Sequence, residues 1–112
     1  MKIAIPQANG QLCAHFGHCE AFAIVDVDDT ARTITGVTHE TPPPHEPGAL
    51  PRWLASHGVS VVIAGGMGQR AQQIFAQHGI EVLVGAAGGT AEELAEAYLN
   101  GSIETGVNLC DH

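Results

Sequence analysis

The chain has 112 residues, enough for one domain with a continuous core and too few for two. Twelve acidic residues against four basic ones give a formal charge of −8, so it lacks the Lys/Arg surface that a nucleic acid or an anionic membrane would require. A hydrophobic content of 45% excludes a disordered chain and points to an ordinary globular one.

No apolar run reaches membrane-spanning length, and the start Met1-Lys2-Ile3-Ala4-Ile5-Pro6 is too short and interrupted for a signal peptide. Three cysteines, an odd number, fit a reducing compartment better than a disulfide framework. The expected location is cytoplasmic, with residues 1–112 forming a single domain.

Lys2 to Pro6 reads as a first strand ended by the proline, and Gln7 to Gln11, with Asn9-Gly10, as a turn. Ala21 to Val27 is nearly continuous in apolar residues, as expected of a central strand. Arg32 to Glu40 alternates around Ile34 and Val37, as an antiparallel strand with one solvated face does. Thr41 to Gly48 is proline-rich and serves as a surface connector, in which His45 is expected to face water.

Leu50, Trp53, Leu54 and His57 fall at i, i+3, i+4 and i+7, one face of a short helix closed by Gly58. Val59 to Ala64 is a β-branched strand. It turns through Gly65-Gly66-Met67-Gly68 into a helix with an expected inner face of Ala71, Ile74, Phe75 and His78, ended by Gly79. Phe75 is expected beneath Val61 and Ile63.

Ile80 to Val84 is the next strand. Thr90-Ala91-Glu92-Glu93 reads as a capping box opening a last helix, with Ala91, Leu94, Ala95 and Tyr98 inward and Asn100-Gly101 stopping it. The order β-β-β-α-β-α-β-α describes an α/β fold, a mixed five-stranded sheet with helices on its faces.

Between the first two strands lies Cys13-Ala14-His15-Phe16-Gly17-His18-Cys19, two thiols and two imidazoles in seven positions. Cys and His suit iron, copper, zinc and metal–sulfur species. The spacing C-x-H-x-x-H-C is not a zinc-finger pattern, which pairs ligands in two distant knuckles. Each of these residues taken singly also suits a structural role.

Cys13, His15, His18 and Cys19, with Cys110 and His112 from the tail, are the candidate metal ligands. They serve either a metal–sulfur cluster or a single iron, copper or zinc ion, as in a mononuclear sensor or chaperone. A third reading, an enzyme with Cys19 as nucleophile and His15 or His18 as base, ranks last because no known signature surrounds the thiol.

The second candidate element is Gly65-Gly66-Met67-Gly68-Gln69-Arg70. A glycine turn between a parallel strand and a helix lies where α/β sheets bind ligands. The helix start favours anions, and Arg70 adds a positive donor fork. The glycines equally suit tight strand–helix packing. The motif lacks the full G-x-G-x-x-G and the P-loop Lys-Ser/Thr, so it does not indicate a nucleotide. The Cys/His loop and this glycine loop are expected to face each other across one pocket.

The start Met-Lys-Ile-Ala-Ile-Pro, the segment His15-Phe16-Gly17-His18-Cys19-Glu20-Ala21-Phe22 and the segment Val62 to Ala71, followed by Gly79-Ile80-Glu81-Val82, resemble the dinitrogenase iron–molybdenum cofactor biosynthesis family. The likeness covers almost the whole chain and is closest to the small stand-alone, orange-protein-like members, some of which also end in a Cys/His tail.

The resemblance implies a ribonuclease H-like three-layer fold and the binding or carriage of a metal–sulfur cofactor without catalysis. That cofactor would be an iron–molybdenum precursor or a molybdenum–copper type cluster. His15 is implied as a direct contact, with Phe16 and Gly17 beside it and Gly65, Gly66, Met67, Gly68 and Arg70 as the other wall. The implied partners are the metal cofactor and a cluster-assembly or acceptor protein, with the chain a monomer or weak homodimer.

Overall fold

The computed structural model describes residues 1–8, 11–12, 21–42, 49–86 and 88–101. The sheet is mixed. β1 (Lys2–Ala8), β3 (Ala21–Asp28), β4 (Thr33–Glu40), β5 (Val61–Ile63) and β6 (Glu81–Leu83) run in the order β4-β3-β1-β5-β6. β3 is antiparallel to both its neighbours, while β1, β5 and β6 are mutually parallel.

A sixth strand, β2 (Gln11–Leu12), pairs with β1, so the sheet has one strand more than the five expected. β2 begins at Gln11, the last residue of the stretch read as a turn, and two residues are too few to leave a periodic signal.

β1 does not stop at Pro6, and the reason is a ladder geometry. Ser60 N–H donates to the Lys2 carbonyl at 3.0 Å, so the even residues of β1 present their backbone toward β5. Pro6 therefore has its missing donor on that side. Pairing with β5 runs only to Ala4, opposite Val62, and resumes at Gln7 with β2, opposite Leu12. The proline sits in the gap, where β5 has left the sheet and β2 takes over its side of β1.

Alternation along the strands divides the core. Ile3, Ile5, Ala23, Val25, Val27, Val61 and Ile63 pack with Ala91, Leu94, Ala95 and Leu99 of α3 (Ala91–Asn100) on one face. Ala4, Phe22, Ile24, Val62 and Ala64 pack on the other with Leu50 and Leu54 of α1 (Ala49–Ser56) and Phe75 of α2 (Gln69–Gln77). Phe75 is fully buried, but it lies on the Val62 side of the sheet, opposite Val61 and Ile63. Helices thus cover both faces, as the pattern of elements required.

Several local expectations stand as read. Thr90 and Glu93 form a reciprocal capping box, and Gly58, Gly79 and Gly101 adopt left-handed φ of 78°, 73° and 71° just beyond the three helices. β4 is a half-solvated edge strand, with an irregularity where Gly36 and Ile34 face Asp26 and Val27.

Other expectations shift. β5 and β6 are shorter than the runs 59–64 and 80–84. His78 is exposed, because it caps α2 at φ −95° and has left the helical rotation that buries Phe75. Leu99, rather than Tyr98, completes the buried face of α3. Among the described residues, no helix is long and apolar enough to cross a membrane.

Candidate functional site at the carboxyl edge of the sheet

Three chain segments converge where the parallel strands end. β5 leaves the sheet after Ile63 and continues through Ala64, Gly65, Gly66, Met67 and Gly68 into α2. β6 ends beside it: Ala64 N–H donates to the Leu83 carbonyl at 2.8 Å, Gly85 N–H to the Gly65 carbonyl at 3.0 Å, and Ala86 N–H to the Ala64 carbonyl at 3.2 Å. β2 lies at the same edge, where Leu12 N–H donates to the Gly89 carbonyl at 2.9 Å.

α2 packs on one face of the sheet and α3 on the other, so the connections after β5 and β6 diverge. Such a divergence opens a crevice at the carboxyl ends of the strands, where α/β sheets hold ligands.

The glycine loop has two halves. Gly65, Gly66 and Met67 are buried, and the Met67 side chain belongs to the core with Phe75 and Ala64, leaving its backbone to the loop. Its carbonyl accepts from Gln72 Nε2 at 2.9 Å.

Gly68, Gln69 and Arg70 are exposed. Gly68 is the N-cap of α2 with φ −64° and ψ 152°, and no side chain caps the helix there. A Cβ on Gly68 would meet nothing within 4 Å among the described residues. Among the described residues, neither conformation nor crowding demands a glycine at this position, and no side chain covers the first N–H groups of α2. Arg70 forms no ion pair among the described residues.

Cys13, His15, Phe16, Gly17, His18, Cys19, Cys110 and His112 lie outside the described residues, as does His45. Among the described residues, no group of three or more His, Cys, Asp or Glu side chains could hold a metal ion. The ends that bracket residues 13–20 are described, and both sit on one residue of β1: Gln7 pairs with Leu12 on one side and with Ala21 on the other. Leu12 and Ala21 are thereby at the edge from which Gly65 departs.

Gln7 itself was absent from the sequence-derived candidates. It is the one buried polar side chain among the described residues, and the signal in the sequence is a carboxamide following the apolar run Ile3-Ala4-Ile5-Pro6.

A groove of about 370 Å³, lined by Arg32, Thr33, Ile34, Glu96, Leu99 and Asn100, lies at the opposite edge, beside the start of β4. Its Arg32 guanidinium is engaged by the Leu99 carbonyl, which makes it a helix-capping feature of the fold.

The fold is shared with solved structures. PH0822 superposes with a TM-score of 0.83 at 29% identity, covering 95% of this chain and 96% of that one. The apo form of the orange protein from Desulfovibrio gigas superposes with a TM-score of 0.71 at 22% identity, covering 96% and 94%. An uncharacterised protein of Methanocaldococcus jannaschii, MJ0580, is 33% identical over 107 residues, spanning 93% of this chain and 90% of the relative. Residues 1–101 match the family model described as dinitrogenase iron-molybdenum cofactor, and the chain belongs to that family.

Proposed function

We propose that this protein binds and carries an anionic metal–sulfur cofactor, an iron–molybdenum precursor or a related molybdenum, copper or iron cluster, at the carboxyl edge of its sheet, without catalysis. The observation that carries the reading is the open start of α2. There, among the described residues, Gly68 leaves backbone N–H groups uncovered beside the exposed Arg70, at the edge where Leu12 and Ala21, which bracket residues 13–20, both pair with Gln7.

The donor chemistry suits the cargo. N–H groups at a helix start and a guanidinium offset a cluster's negative charge, while imidazole and thiolate ligate its metal edge. Cys13, His15, His18 and Cys19, joined by Cys110 and His112, would supply those ligands. Family membership supports the same cargo class. The strand order β4-β3-β1-β5-β6, with β3 antiparallel to both its neighbours, supports reading the fold as ribonuclease H-like.

In this reading the protein works in the cytoplasm as a monomer or weak homodimer that hands its cargo to an assembly or acceptor protein. The test is metal analysis and a visible spectrum of protein purified without added metal. Molybdenum or iron with stoichiometric sulfide supports the carrier. One zinc, copper or iron ion without sulfide instead supports a mononuclear site in the Cys13–Cys19 loop. His15→Ala should remove most of the bound metal while leaving the fold intact.

A further inference from the structure

We infer that Gln7 is a binding residue for the cargo, its carboxamide donating to a terminal oxo or sulfido group of the anion. The inference rests on the carrier reading above.

Gln7 closes β1 at the carboxyl edge. Its neighbours Ile3 and Ile5 are wholly buried, and the strand alternation sets Gln7 on their face, the one covered by α3. Leu12, its cross-strand partner, packs on that same core. Gln7 is only 6% exposed, and the four residues before it, Ile3 to Pro6, are apolar and buried.

Burying a carboxamide without a partner costs free energy that a leucine of similar volume would avoid. Yet no hydrogen bond reaches the Gln7 side chain among the described residues. No fully enclosed side-chain nitrogen or oxygen is left without a partner there, so the Gln7 amide keeps the residue's small contact with the exterior. A buried stem thus ends in an amide opening at the carboxyl edge on the α3 face of the sheet, between the two residues that bracket the Cys/His segment.

A carboxamide N–H serves an oxo or sulfido anion without adding charge. It adds a neutral donor at the same carboxyl edge as the α2 start, from the α3 face of the sheet.

The experiment titrates the wild-type full chain with tetrathiomolybdate, followed by its visible absorption. It compares Gln7→Leu and Gln7→Glu, and records thermal unfolding of each without the probe. If Gln7 contacts the anion, Gln7→Leu weakens binding about tenfold or more, the loss of one hydrogen bond to a charged acceptor. Gln7→Glu, of nearly the same shape but negatively charged, weakens it further. The unfolding midpoint of probe-free Gln7→Leu stays at or above that of the wild type.

Wild-type affinity in both variants overturns the inference while leaving the carrier reading intact. So does a loss of affinity that tracks a lowered midpoint, which would make the amide a prop for the neighbouring backbone. Should Gln7→Leu fail to fold, Gln7→Glu decides alone, by the same comparison of affinity with midpoint. A wild type that does not bind the probe overturns the carrier reading and the role of Gln7 together.

Discussion

Arg32 donates from Nε and Nη2 to the Leu99 carbonyl, at 3.2 and 2.7 Å, across 67 residues of sequence. The contact caps the last turn of α3 with a cation, where the helix dipole favours one. It is made from a backbone at φ 54°, a left-handed conformation that is costly for any residue but glycine. The two effects oppose each other and can be separated by mutation. Arg32→Ala loses the cap and keeps the strain, so it should destabilise by about 1–2 kcal/mol. Arg32→Gly loses the cap and relieves the strain, so it should fall about 1 kcal/mol short of that loss. Chemical denaturation of the two variants checks the difference; equal losses would mean that φ at this position relaxes in solution.

The capping box of α3 gives a pH dependence with a definite sign. The Thr90 N–H donates to Glu93 Oε1 at 3.0 Å, and the Glu93 N–H donates to Thr90 Oγ1 at 3.2 Å. The Thr90 backbone, then its hydroxyl, holds the Glu93 carboxyl below its ordinary value of 4.5. A depressed carboxylate contributes stability that is fully present above its unfolded pKa and is lost as pH falls through the folded one. Glu93→Ala should therefore lower the unfolding midpoint at neutral pH. The gap from wild type should shrink below the ordinary glutamate range. A gap constant through that range would show that the charged cap adds nothing.

Tyr98 should act at the other end of the scale. Burial first, then the charge and hydrogen bond of Glu81 at 3.4 Å, raise its phenol above 10.0, partly offset by Arg32. A raised pKa contributes stability that is present below the unfolded value and lost as pH climbs through the folded one. Tyr98→Phe should flatten the alkaline limb of a stability–pH curve relative to wild type. An unchanged limb would assign that loss to other groups.

Phe75 is wholly buried in the core that α1 and α2 form against Val62 and Ala64. Phe75→Ala should cost about 3–5 kcal/mol by loss of apolar contact and the cavity left behind. Urea unfolding measures it, and a loss below about 1 kcal/mol would place the ring outside the core.

The same residue marks how far the sequence could be read. The i, i+3, i+4 spacing was enough to turn Phe75 inward, because that depends only on helix geometry. Which sheet residues it meets depends on the face to which the crossover carries α2, and this is decided by pairing between distant strands. Val61 and Ile63 share a face by period two, but nothing local says that α3 rather than α2 covers it. The capping box and the terminating glycines were legible because each acts within one helical turn.

Of the candidate elements, the place of the glycine turn and Arg70 between strand and helix was legible. Met67 was expected at the same wall, yet its apolar side chain joins the core. Gln7 was missed because a single polar residue after an apolar strand reads as a strand end. Only its pairing with both Leu12 and Ala21 sets it between the two residues that bracket positions 13–20.

Gly68 offers the cleanest separation of fold from function. Its φ of −64° suits any L residue, and an added Cβ would find open space among the described residues. For the fold alone, Gly68→Ala should change stability by no more than about 1 kcal/mol, because the smaller entropy of the unfolded chain is set against the poor N-cap preference of alanine. A methyl group at the N-cap would, however, stand in front of the open N–H groups of α2. If the cargo approaches that backbone closely, the same variant should bind tetrathiomolybdate about tenfold more weakly while its unfolding midpoint stays within a few degrees of the wild type. Gly68→Asp should weaken binding more, because its carboxylate would cap the helix itself and repel an anion. Midpoints that rise from Gly68→Ala to Gly68→Asp, with affinities that fall in the same order, would locate the anion at the start of α2. Unchanged affinity in both variants would move it away from this helix and leave the Cys/His loop as the whole site.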